Sequence, residues 1–115
     1  MKKVILINPK IKHDFFFPYD CIFPPLDLLT LASHIRESYI VKIIDMATTN
    51  DWKDELSKLL DKEVICVGVT VQTIDVLKAV EVSKFVKEKG NYYVVCGGIH
   101  PTLFPWNILK KSWIC

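Results

Sequence analysis

The stretch Val94-Val95-Cys96-Gly97-Gly98-Ile99-His100-Pro101 decides how the rest of this chain is read. An apolar run ends abruptly in two glycines, and a histidine and a proline follow. A short continuous apolar run is the pattern of a buried parallel strand. Paired glycines at its carboxyl end leave the backbone bare, so a ligand can lie directly against it. In open α/β sheets the ligand crevice lies outside the carboxyl ends of the strands. Gly97-Gly98 is therefore the first candidate binding surface, and the other motifs matter by whether they reach the same edge.

Working outward, three more runs read as strands: Val4-Ile5-Leu6-Ile7, Ile40-Val41-Lys42-Ile43-Ile44-Asp45 and Val64-Ile65-Cys66-Val67-Gly68-Val69. Asn8-Pro9 ends the first, because proline cannot donate to a ladder. Thr70-Val71-Gln72-Thr73 closes the third with a hydroxyl-rich turn. Helical patterns lie between the strands. Pro24-Pro25 opens one with Leu28, Leu29, Leu31, Ala32 and Ile35 on a broad apolar face. Trp52 to Leu60 is a short amphipathic helix, and residues 74–89 carry Val76, Ala79, Val82 and Val86 at helical spacing. Gly90 follows, at the position where a left-handed cap is usual. A further short helix is expected from Leu103 to Lys110 with Pro105 in its first turn, and Trp113-Ile114-Cys115 reads as the opening of a fifth strand.

Strands alternating with helices give right-handed crossovers, hence a doubly wound α/β fold on a parallel sheet. The 115 residues suffice for one domain, spanning 1–115. With no helix after the fifth strand, the chain reads as an amino-terminal piece of something longer, or a truncated copy. Mean hydropathy of +0.24 fits a sheet with missing cover. No apolar run approaches the roughly 20 residues of a membrane span, and no signal-peptide core follows Met1, so a cytoplasmic protein is expected. A net charge of +2, with scattered lysines, does not point to nucleic acid. The cysteines, Cys21, Cys66, Cys96 and Cys115, have no C-x-x-C spacing for zinc or an iron–sulfur cluster.

The strand ends also exclude several ligands. Asn8-Pro9-Lys10 has no G-x-G-x-x-G for a dinucleotide, and no P-loop is present. A phospho-acceptor receiver needs acidic residues after the first strand and an aspartate after the third, where Asn8 and Thr70 stand. The hydroxyl turn at 70–73 and the diglycine turn remain. Together they offer backbone donors, hydroxyls and small side chains, which suit a large, mostly neutral ligand.

Five blocks in register carry a resemblance. They are Ile5-Leu6-Ile7-Asn8-Pro9, Pro24-Pro25-Leu26-Asp27-Leu28-Leu29 with Leu31-Ala32, Val41-Lys42-Ile43-Ile44-Asp45, Val67-Gly68-Val69-Thr70 and Gly97-Gly98-Ile99-His100-Pro101-Thr102. In these, nearly end to end, the chain resembles the cobalamin-binding domain that precedes the radical S-adenosylmethionine (SAM) domain in cobalamin-dependent radical SAM proteins. The resemblance implies a flavodoxin-like (Rossmann-like) sheet in strand order 2-1-3-4-5, here truncated at or before the fifth strand. It implies that vitamin B12 binds through Thr70, Val71, Gln72, Thr73, Gly97 and Gly98, with Asn8, Pro9 and His100 nearby. The dimethylbenzimidazole tail would enter between the strand ends, and the corrin would face the radical SAM domain. The parent enzymes carry out methyl transfer or other radical chemistry.

Departures from that pattern bear on the chemistry. Asp27 stands where the family usually has glycine and reads as a helix cap. The D-x-H-x-x-G loop of other cobalamin proteins is absent around His13, so the cofactor's cobalt is expected to lack a protein histidine ligand. No C-x-x-x-C-x-x-C motif exists, so a 4Fe-4S cluster and SAM belong to the missing domain, and this chain alone is not catalytic. The alternative is a cofactor-free docking module or a degenerate remnant, with Phe15-Phe16-Phe17 as a lid or docking loop. A flavin- or nucleotide-binding domain is a third reading. For single residues the plainer roles stay open: His100 as a loop residue fixing a turn, Thr70 and Thr73 as helix caps, Gly97-Gly98 as a tight turn.

Overall fold

Val4, Ile5, Leu6 and Ile7 are all buried, because their strand has a neighbour on each side and cover on each face. The structure is a computed structural model and describes residues 2–9, 26–49, 51–72 and 75–107. In chain order the elements are β1 (Lys3–Asn8), α1 (Leu26–Ile35), β2 (Ile40–Asp45), α2 (Trp52–Leu59), β3 (Val64–Thr70), α3 (Val76–Lys89), β4 (Tyr93–Gly97) and α4 (Ile99–Leu103). The four strands form one parallel sheet in the order β2-β1-β3-β4. This matches the first four places of the flavodoxin-like order that the resemblance implies. The expected fifth strand, the Phe15-Phe16-Phe17 loop and Pro24-Pro25 lie outside the described residues.

The two faces of the sheet are covered unequally. On one face Ile5, Ile7, Ile44, Val67, Val69 and Val94 form the main core with α2 and α3. There the helical stripe Val76, Ala79, Val82 and Val86 is buried as its spacing predicts, and Leu56 anchors α2. Asp51 caps α2, its side chain accepting from the Asp54 amide at 3.1 Å. Ser83 is buried in the same core and satisfied within α3 by the Ala79 carbonyl at 2.8 Å. On the other face Val4, Leu6 and Leu28 form a smaller cluster. Among the described residues α1 alone covers it, packing on β1 and β2. Its apolar face is wider than its footprint, so Leu26, Leu29 and Leu31 stay exposed. Among the described residues no helix lies over β3 and β4 on this face, and Val95 is 55% exposed.

β3 contains one irregularity. Lys3 pairs with Val64, but Val4 pairs with Cys66, so Ile65 is an extra residue on β3. A bulge of this kind breaks the strict alternation of faces. Val64, Val67 and Val69 therefore share the main core despite the odd step from 64 to 67. Ile65 and Cys66 both pack toward the α1 side.

Two local expectations are corrected. Gly90 is extended, with φ 166° and ψ −172°, rather than left-handed. The chain leaves α3 straight, and the Tyr92 ring occupies the space where a Cβ at Gly90 would lie, 2.8 Å from Cε2. A short helix precedes the one expected from Leu103: α4 spans Ile99–Leu103, Phe104 interrupts it, and residues 105–107 are helical as expected. His100 and Pro101 are thus inside a helix, not in a loop before one. Pro101 lies in the first turn, where its missing N–H has no intrahelical partner to lose.

Candidate functional site

β3 and β4 end together, and their ends are knitted into one rim. Thr70 is the ladder partner of Gly97. The Val71 amide donates to the Gly97 carbonyl at 2.8 Å, and the His100 amide donates to the Val71 carbonyl at 3.2 Å. The hydroxyl turn and the diglycine turn thus share one edge.

The two glycines have different jobs. Gly98 has φ +102°, a conformation that L side chains rarely adopt. A Cβ there would lie 3.1 Å from the Val71 carbonyl oxygen and 3.2 Å from Thr70 Oγ1. Gly98 is needed for the turn itself. A Cβ at Gly97 would meet nothing within 4 Å among the described residues. Gly97 opens onto space, on the thinly covered face of the sheet.

That space is a pair of adjoining clefts. One, of about 280 Å³, runs between α1 and the sheet, with Leu6, Leu28, Leu31, Gly68, Val95 and Gly97 in its lining. Gly68 keeps it deep, since a Cβ there would lie 2.9 Å from Leu6 Cδ2. The other, of about 630 Å³, opens over the rim and is lined by Gln72, Ile99, Thr102 and Leu103 among others. Asp27, Thr70 and Gly98 line both. Asp27 lies inside the first turn of α1 rather than at its cap position, and its Oδ2 accepts from Thr70 Oγ1 at 2.8 Å, joining α1 to the end of β3. Thr102 Oγ1 donates to the Gly98 carbonyl at 2.7 Å and secures α4 to the rim.

The sequence-derived site residues separate accordingly. Thr70, Gln72, Gly97 and Gly98 line the clefts. Val71 is fully buried in the main core and offers only backbone to the rim. His100 is buried, with Nε2 3.0 Å from Asn107 Oδ1 and its ring 5.4 Å from that of Phe104, so it organises α4 and the segment after it. Asn8 and Pro9 stand at the other end of the rim and line neither cleft. Asn8 Nδ2 donates to Asp45 Oδ1 at 3.2 Å, and Pro9 is buried. Thr73 lies outside the described residues. Sequence reasoning missed Asp27, Ile99, Thr102 and Leu103 as cleft residues. For Asp27 the signal was its place in a position where the resembled family carries glycine.

No group of three or more His, Cys, Asp or Glu side chains among the described residues is arranged to hold a metal ion. No described helix is long and apolar enough to cross a membrane.

Sheet order, rim and cleft define a flavodoxin-like domain with a ligand-sized opening at its strand ends. No protein-family model matches the chain. It is 33% identical over 105 residues to an uncharacterised methyltransferase of Pyrococcus horikoshii, a match covering 90% of this chain and 23% of that protein. It also superposes on the radical S-adenosylmethionine methyltransferase TsrM from Kitasatospora setae. For TsrM with cobalamin and a 4Fe-4S cluster bound, the TM-score is 0.77 at 25% identity, covering 99% of this chain and 21% of that one. For TsrM with tryptophan substrate and a SAM analogue bound, the TM-score is again 0.77, at 24% identity, covering 99% and 22%. The chain thus spans less than a quarter of each of these proteins.

Proposed function

We propose that this chain is a cobalamin-binding domain, the cofactor-holding part of a radical SAM methyltransferase. The observation that carries the reading is the open floor at Gly97, set in a cleft whose walls are backbone, hydroxyls and aliphatic side chains. A flat aromatic tail such as dimethylbenzimidazole needs a slot without Cβ atoms on one wall. The opening over the rim is in the size range of small-molecule and cofactor sites, about 300–1,000 Å³. The residues that would hold the cofactor are Thr70, Gln72, Gly97 and Gly98, with the backbone of Val71 fixing the rim. Thr73, Asn8, Pro9 and His100 complete the proposed set, His100 and Asn8 as residues that shape the edge. When bound, cobalamin supplies a cobalt centre that carries a methyl group between donor and acceptor. This chain's own part is to bind and orient it; the 4Fe-4S cluster and SAM would belong to a separate radical SAM domain. The likeness to TsrM with cobalamin bound supports the reading.

The test is retention. Purified chain is mixed with hydroxocobalamin, desalted, and its visible spectrum recorded. Corrin absorbance at near one equivalent that disappears in Gly97→Val is the expected result. No corrin on the unaltered chain overturns the proposal.

A second reading, a module that docks without a cofactor, draws on Val95, Ile99 and Leu103, exposed in the cleft linings, and on exposed Trp106. It predicts the same fold and no corrin retention, so the same spectrum separates the two.

A further inference from the structure

The contact between Asp27 and Thr70 has a chemical consequence for whatever enters the cleft. A threonine hydroxyl has one proton and two lone pairs. Here Oγ1 gives that proton to Asp27 Oδ2 at 2.8 Å, so what it offers a ligand is lone pairs. An aspartate carboxylate is itself acceptor-only. The two groups stand together in the linings of both clefts, at the point where one passes into the other. Asp27 is also the one charged side chain among the described residues lining either cleft, and no lysine, arginine or histidine shares those linings. A phosphate or carboxylate brought there would meet a like charge and oxygens with no proton to give. A primary carboxamide would meet two acceptors for its N–H groups.

We infer that Asp27, by holding the Thr70 proton, makes the throat of the cleft an acceptor site that selects neutral carboxamide arms of a ligand and rejects anionic ones. This rests on the cobalamin reading and adds to it. The corrin periphery carries primary carboxamides, and the inference assigns Asp27 and Thr70 to one of them rather than to the phosphate of the nucleotide loop. Asp27 is then a specificity residue, and Thr70 serves as acceptor, opposite to the donor role usually given to a threonine beside a ligand.

The experiment compares two probes: hydroxocobalamin, and cobalamin monocarboxylic acids in which one peripheral carboxamide is hydrolysed, tested as separate isomers. Each is titrated into the unaltered chain, Asp27→Asn and Thr70→Val at pH 7, and the corrin spectrum gives the affinity. At least one isomer is expected to bind the unaltered chain about fivefold more weakly than hydroxocobalamin, the span of a solvent-accessible charge contact. Asp27→Asn removes the charge and adds an N–H donor, so the ratio for that isomer should fall to near one or reverse. Thr70→Val should weaken hydroxocobalamin and leave the discrimination in place. A ratio unchanged in Asp27→Asn, or no isomer discriminated at all, overturns the role of Asp27 while leaving the cobalamin reading standing. Failure of every corrin to bind the unaltered chain overturns both.

Discussion

The amide of Val71 donates to the carbonyl of Gly97 across the ends of two parallel strands, at 2.8 Å. The bond holds the side chain of Val71 inward, in the core, while the unsubstituted Cα of Gly97 faces out over the cleft. One residue closes the rim and the other opens it, and the two neighbouring glycines should respond very differently to substitution.

Gly97→Val places its methyl groups in open space, on a strand where β-branched residues are at home. Stability should change by no more than about 0.5 kcal/mol, as for a surface substitution. Gly98→Val must adopt φ +102° and press on the Val71 carbonyl at 3.1 Å. Its cost should be about 2–4 kcal/mol. Thermal unfolding of the two variants side by side checks this. An equal loss in both would mean that the cleft floor is packed from above.

Gly68 gives a second test, by coupling. A Cβ at Gly68 comes within 2.9 Å of Leu6 Cδ2. Leu6 is 2% exposed and also lines the cleft, so packing resists its displacement. Gly68→Ala should cost about 1–2 kcal/mol, the usual range for mild overpacking. Leu6→Val shortens the opposing side chain, so the double variant should lose less than the sum of the two single ones. Urea denaturation of the four proteins of the cycle gives the coupling. Strict additivity would place the two residues apart.

Acid should act on the turn before β3. The Asp61 carboxyl is held below its ordinary 3.8, first by the hydrogen bond from Lys3 and then by the Glu63 amide. Lys3 Nζ lies 2.7 Å from Asp61 Oδ2 and ties the start of β1 to that turn. A carboxyl lowered in the folded state stabilises the fold above its unfolded pKa, and this is lost as pH falls through the folded value. In a series of melting temperatures from pH 7 to pH 2, Asp61→Asn should therefore show a shallower decline below about pH 4 than the unaltered chain. Parallel curves would remove Asp61 from the acid response.

Cys66 should be a slow thiol. Burial raises its pKa, because a thiolate loses solvation against the apolar α1 side of the sheet. Alkylation by iodoacetamide at pH 8, followed by peptide mass spectrometry, should proceed more slowly at Cys66 in the native chain than in urea. Native labelling as fast as denatured labelling would show that this face is open to solvent below the cleft.

Much of this was legible in the sequence because apolar runs and crossovers leave few alternatives. Val4 to Ile7, with no polar residue among them, could only be a central strand. Diglycine after Cys96 marked the rim. The inward turn of Val71 is legible too, since Val67, Val69 and Val71 share one face at period two, which sets its side chain apart from the expected ligand residues. The Asp27–Thr70 bond was not, because it spans 43 positions and depends on how α1 lies across the sheet. Nor was the start of α4: His100-Pro101 looks like a helix breaker until Gly98 supplies the turn that makes it a helix start.

The bulge at Ile65 sets where β3 can change length. From Val67 onward each residue's parity is fixed, and inserting or removing one there would exchange Thr70 with Val71, putting a hydroxyl in the core and an isopropyl group at the throat. At Ile65 the parity is already broken, so losing one residue would restore plain alternation and leave Thr70 facing Asp27. The lower half of the strand can therefore vary in length over evolution without disturbing the chemistry at its tip.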